Sequence, residues 1–110
     1  MSTYLFHGVQ TPATLAGLLA KPEDRAATIA PIFTSVGGEL LGYWYTLGGG
    51  EVYVLFEMPD DVTATGLIAK VNASGAFSSV STTRLLTVAE MLPALGGTGT
   101  TAYRGPGQPG

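Results

Sequence analysis

The sequence predicts an α+β domain: a four-stranded antiparallel sheet with helices on one face, in the order β-α-β-β-α-β, followed by a terminal helix. Three observations carry that expectation. First, the stretch Glu39–Met58, ELLGYWYTLGGGEVYVLFEM, places two aromatic and β-branched runs, Leu40–Leu47 and Val52–Met58, on either side of Gly48-Gly49-Gly50. That is a strong hairpin signal. Second, apolar residues recur at helical spacing before the hairpin (Ile29, Ile32, Phe33, Val36) and after it (Ala64, Leu67, Ile68, Val71). Third, strand-like runs open and close the set at Tyr4–Val9 and Phe77–Leu86.

Taken in order, Tyr4 and Phe6 face one side of the first strand, and Leu5, His7 and Val9 the other. Gly8 marks a weak point or a close approach. Thr11-Pro12 fits an N-cap with proline at the first helical position, and Leu15, Leu18 and Leu19 make the buried side of a short helix. Helix restarts at Pro22, with Glu23 and Asp24 in its first turn; Pro31 is expected to kink or interrupt it, and Gly37-Gly38 to end it. Pro59-Asp60-Asp61 stops the hairpin and caps the second long helix, which ends over Asn72–Gly75. The last strand is rich in Ser and Thr, as suits an edge, with Val80, Thr82 and Arg84 on one face. Thr87-Val-Ala-Glu90 fits a capping box, and Met91, Leu92 and Leu95 are expected to dock the terminal helix. This order is the ferredoxin-like split βαβ arrangement. The domain spans residues 1–95. The tail, 96–110, is more than half Gly and Pro: either a flexible segment or an arm ordered on a partner, with Tyr103 and Arg104 its adhesive residues.

Both faces of the hairpin read as largely apolar. In its first strand Leu40 and Trp44 take one face, and Leu41, Tyr43, Tyr45 and Leu47 the other. In its second, Val52, Val54, Phe56 and Met58 oppose Tyr53, Leu55 and Glu57. Helices of the same chain cover one face, so a second copy is the economical cover for the other, and a homodimer is expected.

A chain of 110 residues makes one domain able to bury a core unaided. It has no cysteine, which excludes disulfides, thiolate metal sites and a cysteine nucleophile. A net charge of −3 with 12% charged residues leaves no basic stripe for nucleic acid. No apolar run reaches the roughly 20 residues of a membrane span, and the N-terminus lacks a signal-peptide pattern, so a cytoplasmic protein is expected.

From the hairpin onward the chain resembles the GYD-domain family. The residues that carry this are Gly37-Gly38-Glu39 leading into Tyr43-Trp44-Tyr45-Thr46-Leu47-Gly48, then Val52–Glu57 into Met58-Pro59-Asp60-Asp61, and Val80-Ser81-Thr82-Thr83-Arg84-Leu85, with Arg25 at the start of the long helix. The likeness covers roughly Tyr4–Leu95 and implies a dimeric α+β barrel. The Gly-Tyr-Asp signature itself stands here as Gly49-Gly50-Glu51: the tyrosine hydroxyl is gone, and Glu51 replaces the carboxylate with a longer reach. Related dimeric barrels include cofactor-independent monooxygenases, lactone isomerases and haem-binding proteins, so the resemblance implies a fold and a dimer rather than a reaction.

The candidate chemistry is sparse. His7, the one histidine, suits a general base or an axial haem ligand, and equally a core histidine with a hydrogen-bond partner. Glu57 interrupts an apolar strand and suits an acid or base, or an ion pair with Arg84 or Arg25. Tyr43, Trp44, Tyr45 and Tyr53 suit a pocket for a planar apolar ligand, or serve as core and interface anchors. Arg84 and Arg25 suit a ligand carboxylate or structural ion pairs. Gly48-Gly49-Gly50 joins strands and opens no helix, which removes a phosphate loop. No metal site and no cofactor is expected. Three functions fit: a homodimer binding a small apolar or aromatic molecule, a cofactor-independent oxygenase or isomerase with His7 as base, and a structural self-assembling protein.

Overall fold

The computed structural model describes residues 1–109, so the last residue of the Gly/Pro-rich tail lies outside it. The element order is β1 (Ser2–Gln10), α1 (Pro12–Ala20), α2 (Arg25–Ser35), β2 (Glu39–Tyr45), β3 (Glu51–Met58), α3 (Asp61–Ala73), β4 (Phe77–Leu85) and α4 (Val88–Gly97). The four strands form one antiparallel sheet in the order β2-β3-β1-β4, with β2 and β4 at the edges. This is the ferredoxin-like arrangement that the order of elements predicts.

Local chemistry sets the boundaries. Thr11, Asp24, Asp60 and Thr87 each cap a helix through a side-chain oxygen that accepts a backbone N–H, and Thr87 with Glu90 completes a capping box. Gly37 (φ 81°) ends α2 in the left-handed region, and Gly48 (φ 89°) and Gly49 (φ 77°) turn the hairpin.

The core lies between one sheet face and helices α2 and α3. It is built from Tyr4 and Phe6 of β1, Val52, Val54, Phe56 and Met58 of β3, Phe33 of α2 and Ala64 of α3. Phe56 is the hub. Its ring stacks on Tyr4 at 5.3 Å and tilts against Phe33 at 4.9 Å. The main helix–sheet packing falls on α2 against β2 and α3 against β3 and β4, and among the described residues no helix packs extensively on the opposite sheet face.

Four expectations are corrected. Leu40 shares a face with Tyr43 and Tyr45, not with Trp44, because the β2–β3 register shifts between Leu40 and Gly42. One extra residue, Leu41, resets the alternation. Pro31 does not interrupt α2, which runs from Arg25 to Ser35; Pro31 and Ala27, whose carbonyl loses its donor, both face solvent. Leu19 is 76% exposed, so only Leu15 and Leu18 turn inward from α1. The terminal helix α4 does not dock: Met91, Leu92 and Leu95 stay 42%, 64% and 63% exposed.

Candidate functional site

A cavity of about 330 Å³ sits between the sheet and helices α2 and α3. Its walls come from the helical apolar stripes, with Ile29 and Phe33 of α2 and Leu67 and Val71 of α3, and from the sheet residues Phe6 and Val54. Helical spacing places those side chains over the sheet, and the strands supply the floor. Ile32, Lys70 and Ser74 line it and are also exposed, so they mark its mouth. Its volume falls at the lower end of small-molecule sites, which run from about 300 to 1,000 Å³.

Among the candidate residues, Tyr43 and Arg25 line this cavity. Burial pushes the Tyr43 phenol well above the ordinary value of 10.0, and the neighbouring Tyr45 pushes the same way; Arg25 beside it opposes them. The hydroxyl is therefore held neutral and able to donate. Tyr45 lies on the same sheet face, with its ring 5.3 Å from that of Tyr43, but outside the cavity lining.

Trp44 and Tyr53 stand opposite each other on the open face, in register across β2 and β3. The indole folds back over Gly42, where a Cβ would meet its ring at 2.3 Å. His7 is also on the open face, paired in register with Tyr53 and Ser81. Its Nε2 lies 2.6 Å from Glu51 Oε1, and its ring 4.6 Å from that of Tyr53. The sheet thus brings together His7, Glu51, Tyr53 and Trp44 on one side, and Tyr43 and Tyr45 on the other.

Glu57 is not near His7. It sits at the far end of the open face, opposite Thr3 and Glu39. Neither arginine pairs with it. Arg25 Nη1 is 2.5 Å from Glu23, while Arg84 reaches Asp61 at 3.5 Å, Glu90 at 3.2 Å and Ser2 at 3.0 Å. Tyr4 donates its hydroxyl to Asp61 at 2.5 Å, so a polar network ties β1, α3, β4 and the start of α4 together. Arg84 belongs to that network.

The residues missed by sequence reasoning are Glu51 as the partner of His7, and Lys70 at the cavity mouth. The first depends on the β1–β3 register, which joins residues 44 apart. The second follows from the α3 stripe, since Lys70 precedes Val71 on the rim of the same helix face.

The tyrosines also give a pH signature. Burial, followed by the Asp61 hydrogen bond, raises the Tyr4 phenol, and burial raises that of Tyr43. Both native phenols favour the neutral form, so their stabilisation is complete below the unfolded value of 10.0 and is lost as pH rises through the native values. Urea midpoints should fall above pH 10.0, and Tyr43→Phe should flatten that fall. A midpoint in the Phe variant that falls as steeply as wild type would remove Tyr43 from the explanation.

Comparison with known proteins agrees with this fold. Among solved structures, Rv0793 from Mycobacterium tuberculosis superimposes with a TM-score of 0.51 and 13% sequence identity, covering 79% of this chain and 94% of that one. At that identity the likeness shows the fold alone. A search of the curated proteins finds no match. The GYD domain profile matches residues 4–95, nearly the whole of the described fold. The chain belongs to the GYD-domain family.

Proposed function

We propose that this protein is a homodimer that binds a small apolar or aromatic molecule between its sheet and helices α2 and α3. The observation that carries the reading is the cavity: about 330 Å³, walled by aliphatic and aromatic side chains, with the Tyr43 hydroxyl among them. A filled interior would leave no such space, since native cores hold few voids larger than a water molecule. Dimerisation is supported by the open sheet face, where Trp44 is 54% and Tyr53 37% exposed and, among the described residues, no helix packs extensively. A cytoplasmic setting fits the cysteine-free composition, and among the described residues no helix is long and apolar enough to cross a membrane.

Native mass spectrometry of freshly purified protein, followed by denaturation in the same run, tests both parts. The expected result is a dimer carrying an extra mass that is released on unfolding. Leu55→Arg, on the open face, should convert the dimer to monomer and leave the helical content intact. A wild-type monomer without adduct sinks the reading.

A second reading, a cofactor-independent oxygenase or isomerase, draws on the 2.6 Å contact between His7 and Glu51, a pairing that can orient an imidazole as a proton acceptor. It ranks second because His7 and the cavity lie on opposite faces of the sheet.

A further inference from the structure

We infer that the cavity selects an amphipathic acid: a molecule with an aromatic or short acyl body and one carboxylate, the body seated among the apolar walls and the carboxylate held at the mouth by Arg25 and Lys70. This rests on the cavity being a ligand site, as proposed above, and adds the charge of its occupant.

The chain has five basic and eight acidic residues and a net charge of −3. The cavity nevertheless takes two of its five bases, Arg25 and Lys70, and none of its acids. An uncharged occupant gives no reason for that asymmetry; an anion does.

Helix electrostatics accounts for only one of the two cations. Lys70 lies in the last turn of α3, where the helix dipole favours positive charge. Arg25 is the first residue of α2, at the end where the dipole disfavours it. Its neighbour Glu23 offsets that cost at 2.5 Å but engages one arm of the guanidinium, Nη1, while the group presents five N–H donors in a planar fork. Lys70 takes part in no ion pair among the described residues. Beside Arg25 stands the Tyr43 hydroxyl, which burial keeps neutral and donating. Arg25, Tyr43 and Lys70 therefore supply donors to one apolar cavity, and among the described residues no side-chain carboxylate lines it to compete. An apolar body with an anionic head satisfies both ends.

The test uses N-phenyl-naphthylamine, a neutral dye that fluoresces in apolar sites, displaced either by naphthoate or by its methyl ester. Dye binding that is abolished by Ile29→Trp, which fills the cavity, establishes the site on which the inference rests. Naphthoate is then expected to displace the dye at about one-tenth of the ester concentration, the size of a charge-assisted contact discounted for an exposed mouth. Lys70→Met and Arg25→Met should each bring the naphthoate and ester displacement concentrations closer together, the ratio within each variant being the readout. Added salt should weaken naphthoate alone.

Equal displacement by acid and ester overturns the acid and leaves the cavity standing. A preference that survives both Met variants also overturns it, because the carboxylate is then held elsewhere. Dye that fails to bind, or binds equally well to Ile29→Trp, overturns the cavity reading and the inference with it.

Discussion

Phe56→Ala should cost about 3–5 kcal/mol, the largest loss expected from any single truncation in this chain. Phe56 is 0% exposed and lies within β3, itself an inner strand. Its ring touches three elements at once: it stacks on Tyr4 of β1, tilts against Phe33 of α2, and stands opposite Leu40 of β2. Alanine forfeits the transfer energy of the ring and leaves a void that a strand paired on both edges cannot close. Against a total stability of about 5–15 kcal/mol, that loss consumes much of the margin. A urea titration should show a midpoint far below wild type with an unchanged slope. Leu47→Ala is the control, because Leu47 is 106% exposed at the hairpin tip and should move the midpoint little. Similar costs for the two would mean that the core is not centred on Phe56.

Gly38→Ala should be the second most damaging change, and its cost is geometric. A Cβ at Gly38 would lie 2.5 Å from the Glu57 carbonyl oxygen, 2.7 Å from Met58 Sδ and 3.3 Å from the Phe33 carbonyl oxygen. The thioether can swing aside, but the Glu57 carbonyl belongs to a paired strand and cannot. The chain between α2 and β2 must therefore shift, also straining the Gly38 N–H that donates to the Phe33 carbonyl at 2.9 Å. Overpacking of this kind costs about 1–3 kcal/mol. Because α2 also carries Ile29, Ile32 and Phe33 into the cavity wall, the same shift should weaken binding of a neutral apolar dye. The contrast is Gly17→Ala in α1. Nothing lies within 4 Å of its Cβ position, so the same substitution should stabilise by about 0.4–1 kcal/mol. If Gly38→Ala matched Gly17→Ala in sign, the close approach of α2 to β3 would be wrong.

How much of this was legible in the sequence depends on how local each determinant is. The capping oxygens of Thr11, Asp60 and Thr87 act within three residues, and so do the turn glycines 37, 48 and 49; all were readable. The alternation in β1 and β3 was readable because neither strand is bulged against the other. The assignment of Leu40 failed because the bulge at Leu41 is fixed by pairing with β3, not by the β2 sequence itself. The α4 stripe was visible, but a stripe says only that a helix can dock, not that a surface is within reach. The same limit governs the site. Tyr43 and Arg25 could be picked as candidates from their type, whereas Lys70 joins them only when α2 and α3 are brought over one sheet.

The folding of Trp44 over Gly42 has an optical consequence. Trp44 is the sole tryptophan, so all of the chain's indole emission originates on the bare side of the sheet, away from the cavity. Intrinsic fluorescence is therefore a reporter of whatever approaches that side, and an extrinsic dye is needed to watch the other.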